Sequence, residues 1–148
     1  MIRQLTAASV ALVALASFPL VPSAAADDGQ VVQTQNGTVQ CVVSDNNVSR
    51  GGGPWVVCQR SDLAGFGQAP FSTEKYSVSL NLAAQRGTGE FYFTKGSIAG
   101  PGEGTSLSSG QTYNINGWTI QPDDQRTRFT WDATRHGVLI NAEMARTF

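Results

Sequence analysis

The sequence predicts an all-β fold: a single-domain antiparallel β-sandwich or small barrel of about eight strands, held by one disulfide. Three observations carry that expectation. Short runs of β-branched and aromatic residues, at 39–43, 55–58 and 127–131 among others, recur with turn chemistry between them. No apolar stretch after residue 26 keeps helical spacing long enough to build a helical layer. The only two cysteines, Cys41 and Cys58, lie on two apolar runs flanking a polar, glycine-rich turn, as in a hairpin stapled near its base.

Residues 1–26 read as a Sec-type signal peptide. Arg3 supplies the positive charge, residues 5–20 are apolar and uncharged, and Ser23-Ala24-Ala25-Ala26 offers small side chains for cleavage after Ala26. A spanning helix needs about 20 uninterrupted apolar residues, and Pro19 and Pro22 break this run. The leader has neither an arginine pair nor a following cysteine, which argues against twin-arginine export and a lipid anchor. The expectation is a secreted protein, extracellular or in the cell envelope. Its mature domain would be 27–148, large enough for one core, with no membrane span after cleavage.

Ten basic residues face eleven acidic ones, a formal charge of −1, and they are scattered along the chain. Nothing in that balance draws a nucleic acid or an acidic membrane. Two cysteines in an exported chain are most simply a disulfide. Closing a loop of about 17 residues stabilises by roughly 3 kcal/mol on the chain-entropy account. Redox or metal use fits poorly, because the spacing is not Cys-x-x-Cys and a single histidine cannot complete a zinc site.

Taken in order, residues 27–36 are polar around Val31-Val32 and read as a leader with an edge strand. A strand is expected over 38–44, where β-branched residues suit a pleated surface. Asp45-Asn46-Asn47 is turn chemistry, and Gly51-Gly52-Gly53-Pro54 prolongs it, so the return strand runs over 55–60. Residues 62–72 hold Leu63, Phe66 and Phe71 among glycines, a loop pinned by aromatics over an open end of the core. Tyr76, Val78, Leu80 and Leu82 alternate with polar residues and predict a half-buried strand, followed by a turn over 83–89. The next strand covers 90–95, and the patternless stretch 96–110 reads as a mobile surface loop. Strands at 112–115 and 118–121 are joined by Asn116-Gly117. After a turn at 122–125, residues 127–131 return, setting Phe129 and Trp131 against Arg128 and Thr130. Residues 138–140 form a strand apolar enough for burial on both faces, and the tail 142–146 suits one helical turn.

Several of these residues form a pattern. Gly37 to Cys41 make a Gly-x-x-x-Cys opening, and Cys58 lies on the return strand. Gly110-Gln111-Thr112-Tyr113, Gly117-Trp118-Thr119 and His136-Gly137-Val138-Leu139-Ile140 complete it. In this the chain resembles a family of small exported actinobacterial proteins of the mycobacterial and nocardial type. The match covers the two hairpins and the tail, about half the expected mature chain, and the resemblance implies no activity. Two departures stand out. Where relatives carry a second cysteine pair, this chain has Ile120 and then Phe129 or Thr130. An apolar pair such as Ile120 with Phe129 replaces a staple by packing. Arg135 stands where the pattern has glycine, so the turn there is expected to differ. The segments 37–41 and 116–120 also echo one another, as duplicated hairpins or any two hairpins would.

His136 is the only histidine, the residue type most used as a general acid or base, and thus the natural candidate for that role, with Asp132 upstream as its orienting group. No Gly-x-Ser-x-Gly elbow accompanies it, and a backbone hydrogen bond explains a turn histidine equally well. Asp123-Asp124 follows a proline, where aspartate serves the turn itself. No metal or cofactor site is expected. Trp55 beside the glycines, with Trp118, Trp131 and Tyr92, offers candidates for an exposed aromatic patch, two of the three tryptophans being expected in the core. The functional expectation is a binding or envelope-associated interaction module that contacts an envelope or extracellular component through Gly51, Gly52, Gly53 and Trp55. The alternative is a secreted hydrolase using His136.

Overall fold

The computed structural model describes residues 25–26, 29–67 and 80–148, and these form two sheets with no α-helix among them. In the first sheet β1 (Ala25–Ala26), β2 (Gly29–Thr34), β3 (Val39–Ser44), β4 (Trp55–Arg60), β5 (Leu82–Arg86) and β6 (Phe91–Thr94) pair antiparallel in chain order. Beside β2 lies β7 (Thr105–Ser106), in parallel. The second sheet is a five-stranded meander of β8 (Tyr113–Ile115), β9 (Trp118–Pro122), β10 (Thr127–Trp131), β11 (Gly137–Ile140) and β12 (Ala145–Thr147). Strand β1 falls inside the segment that the sequence reads as a leader.

The two sheets face each other over one apolar core, so the architecture is a sandwich. From the first sheet come Val32, Val39, Cys41, Val43, Val56, Cys58 and Ala83; from the second come Trp118, Ile120, Phe129, Val138 and Ile140. Cys41 stands directly opposite Cys58 in the middle of the β3–β4 ladder, rather than near its base, and the two are bonded and fully buried. The equivalent place in the second sheet is taken by Ile120 opposite Phe129, also fully buried. Polar ties cross the same interface: Thr34 Oγ1 bonds Thr127 Oγ1, and the Trp118 indole donates to the Ser44 carbonyl at 3.0 Å. The hairpin between β8 and β9 turns on Asn116 and Gly117, both at positive φ, as a two-residue turn of this hand requires.

Several expectations need correction. The alternation at 76–82 lies mostly outside the described residues. The strand found is β5, Leu82–Arg86, where a turn was expected. Its Leu82 and Ala84 face outward under a loop while Ala83 faces the core, so burial on both sides erases any polar alternation. The edge strand expected near Val31 is longer and buried, because β3 covers one side and β7 the other. Residues 142–146 make no helical turn, since 142–144 bend the chain and 145–146 open β12, and Leu139 is only half-buried. Phe66 is buried in the core as expected, but Leu63 is 49% exposed; Phe71 lies outside the described residues.

The largest correction concerns 96–110, which is no free loop. Residues 98–104 lie along the outer side of the first sheet, and β7 with buried Leu107 ends the segment. Three glutamines on that outer side hold it. Gln40 Nε2 donates to the carbonyls of Gly100 and Glu103 at 2.9 and 3.1 Å. Gln59 Nε2 donates to Ala99 O at 3.0 Å and its Oε1 accepts from the Ile98 amide at 3.0 Å. Gln33 Nε2 reaches Gly102 O and Glu103 O at 2.7 and 3.0 Å. Ile98 packs beside Trp55, Val57, Leu82 and Ala84 in a second, smaller apolar cluster. A segment of glycine and serine is thus ordered by backbone carbonyls that glutamine amides satisfy.

Candidate functional site

The end of the β3–β4 hairpin is rigid because its backbone is almost wholly satisfied by local bonds. Asn47 caps a short 3-10 turn, Val48–Arg50, its Oδ1 accepting from the Arg50 amide at 3.1 Å. Gly51, Gly52 and Gly53 follow with φ of +86, +82 and +81. Their amides donate to Val48 O, Asn47 O and Asn46 Oδ1, and the Asn47 amide closes the ring on Gly53 O at 2.8 Å. A side chain at Gly51 would meet no atom within 4 Å, so glycine is there for its left-handed backbone and not for lack of space.

Side chains brace this turn from below. The Gly52 carbonyl accepts from the Trp55 indole at 3.3 Å and from Arg86 Nη2 at 3.0 Å. The Arg86 guanidinium lies 5.5 Å from the Trp55 ring centroid and also pairs with Glu90 at 3.3 Å. Tyr92 meets Trp55 edge-on at 5.7 Å, and its hydroxyl accepts from Arg50 Nη1 at 2.7 Å. Arg86, Trp55, Tyr92 and Arg50 therefore form an alternating row of cations and rings.

Trp55 itself is 2% exposed, which overturns its expected place at the tip of the contact surface. Its ring is consumed in bracing the glycines. What the tip presents instead is Val48, 72% exposed, and Tyr92, 40% exposed, next to Arg50 and Gly51. Tyr92 was visible as the middle of three consecutive aromatics, since a pleated strand must turn at least one outward. Val48 and Arg50 carried no such signal, because their exposure depends on the 3-10 turn that Asn47 caps. Of the remaining tryptophans, Trp118 is fully buried and Trp131 half-buried.

No family model, curated protein or solved structure matches this chain. The reading of its sites therefore rests on geometry. His136 is exposed, with Nδ1 3.2 Å from the Phe148 main-chain oxygen and its ring against Gly89. Asp132 does not orient it: the Asp132 carboxylate accepts from Thr119 Oγ1 at 2.6 Å. The histidine thus sits where a backbone contact accounts for it, at the start of β11. Among the described residues no group of three His, Cys, Asp or Glu side chains is placed to hold a metal, and no helix is long and apolar enough to cross a membrane.

At the opposite end of the sandwich, Asn36, Thr38, Arg60, Asp62 and Ala142 line a cleft. Arg60 grips Asp62 with two bonds, Nε to Oδ1 at 3.0 Å and Nη2 to Oδ2 at 2.7 Å. The Arg60 bond, together with the Ala64 amide, holds the Asp62 carboxyl below its usual 3.8. Both charges are spent on each other and on folding back the chain after β4.

Proposed function

We propose that this protein is an exported, non-enzymatic binding module that contacts an envelope or extracellular component through the tip of the β3–β4 hairpin. One observation carries the reading: a turn whose backbone is closed by its own bonds holds Val48 out to solvent, and its Arg50 donates to the exposed Tyr92 of β6 beside it. A surface ordered before binding loses little conformational entropy on contact, which is what a recognition site needs. Aromatic and arginine side chains are also the types that anchor interfaces. Export is supported by the leader-like residues 1–26 and by a buried disulfide, which persists outside the cytosol.

The test is saturation binding of labelled protein to cell-wall, membrane and secreted-protein fractions of the source organism. Wild type should bind one fraction saturably, and Val48→Asp combined with Tyr92→Ala should lower that affinity about tenfold or more. Background binding in every fraction, or full binding by the folded double variant, overturns the proposal.

A further inference from the structure

The pleat of the second sheet turns Trp118, Ile120, Phe129, Val138 and Ile140 inward, so their neighbours point outward. The register sets Gln121, Arg128, Leu139 and Arg146 side by side in one row across β9, β10, β11 and β12. Arg126 and Arg128 line one shallow groove there, with Gln111, Thr112, Gln121, Leu139 and one carboxylate, Asp123. Gln121, Arg126, Arg128 and Arg146 are all exposed. This groove lies at the end of the sandwich away from the glycine turn, since Gln35, at the Val39 end of β3, reaches Asp123 O and Thr127.

The charges scattered along the sequence thereby become local. None of these three arginines forms an ion pair with a described residue. The nearby acids are engaged otherwise. Asp123 Oδ1 accepts from the amides of Gln125 and Arg126, both at 2.8 Å, with Arg126's charge a lesser influence, and Asp124 accepts from Ser109 Oγ at 2.8 Å. The Arg128 guanidinium lies over the Phe148 ring, 4.0 Å from its centroid, in a cation–π contact that makes no use of its N–H donors.

We infer that this outer face binds a carboxylated polysaccharide. Arginine forks match carboxylates two bonds at a time. Arg128 and Arg146 stand two strands apart, about 10 Å at ordinary strand spacing, so a ligand that engages both carries repeated anions. Beside them the amides of Gln111 and Gln121 and the hydroxyl of Thr112 suit sugar hydroxyls. The single aliphatic side chain in the row, half-buried Leu139, gives neither a pocket for a peptide anchor nor a wedge for a bilayer.

Titration of the isotope-labelled full protein with hexagalacturonate, followed by amide chemical shifts, tests this. Shifts should centre on residues 110–112, 121, 126–128, 139 and 146, and should weaken with added salt. Maltohexaose, the neutral control, should give none. Arg126→Ala and Arg128→Ala should each lower affinity about tenfold. Arg128→Lys, which keeps the charge and loses the fork, should weaken binding less. Lys95→Gln, just past β6 of the first sheet, should leave it unchanged. Thermal unfolding checks that each variant is folded, and Arg128→Lys decides the matter if the alanine variants are not. The inference falls if folded wild type ignores hexagalacturonate, if maltohexaose or an oligonucleotide of equal charge binds as well, or if the folded arginine variants bind like wild type.

Discussion

Arg135 occupies a left-handed backbone position, φ +67, in the turn between β10 and β11, where its amide donates to Trp131 O at 2.8 Å. The resemblance placed glycine at this position and led to an expectation that the turn would differ. It does not avoid the positive φ, and the arginine adopts it, because the neighbouring bonds from Trp131 and Asp132 amides fix the turn on both sides. A side chain in that region costs roughly 1 to 2 kcal/mol over glycine, partly offset by glycine's greater chain entropy when unfolded. Arg135→Gly should therefore raise stability by up to about 1 kcal/mol, seen as a higher melting temperature; an unchanged or lower one would show that the arginine makes compensating contacts. Trp55 teaches the converse lesson. Its neighbours in sequence are three glycines and a proline, which suggests exposure, yet Arg86 and Tyr92, distant in sequence, enclose it.

The two central hairpins solve the same problem differently. Strands β3 and β4 are joined covalently at Cys41 and Cys58, whereas β9 and β10 meet at the same mid-ladder place through Ile120 and Phe129. The pairing of the cysteines was legible because only two exist. The Ile120–Phe129 partnership was legible only as one of two registers, and the turn after Pro122, where the Asp123 amide donates to Arg126 O at 2.8 Å, decides it by setting Thr127 opposite Pro122. Ile120→Ala should cost about 2 to 5 kcal/mol, the range for truncating a buried aliphatic residue. Breaking the disulfide should cost roughly 3 kcal/mol. Both cysteines are fully buried, so the reductant must act on unfolded protein, and the melting temperature is then compared after refolding. An unchanged melting curve in either case would mean that the hairpin does not depend on its central pair.

Across the whole molecule, the first sheet is buried on both sides, between the second sheet within and residues 98–104 without. That arrangement explains three fully buried or nearly buried glutamines in the first sheet, Gln40, Gln59 and Gln85, which local patterning would assign to solvent. Gln59 carries the most: its amide joins Gln40, Ala99 and Ile98. Gln59→Ala would leave those groups unpaired, at about 1 to 3 kcal/mol for a buried polar group without a partner. The Ile98 amide should then exchange with solvent much faster while the amide of Ile120 in the second sheet stays protected. Equal acceleration at both sites would indicate global destabilisation, and none at either would mean that the strap holds without its glutamines.

By itself the sequence determined the all-β class, the disulfide and most of the second sheet, because those follow from local terms: β-branched runs, a positive-φ turn at Asn116-Gly117 and a single possible cysteine pairing. Strand β5, the strap over Gln33, Gln40 and Gln59, and the exposed set Val48, Arg50 and Tyr92 were decided only by tertiary structure. Burial on two faces removes the alternation that marks a strand, and a loop's order depends on partners tens of residues away. The outward row of Arg128 and Arg146 belongs to the same group. Charges that look dispersed along a chain become neighbours only when strand register lays them side by side.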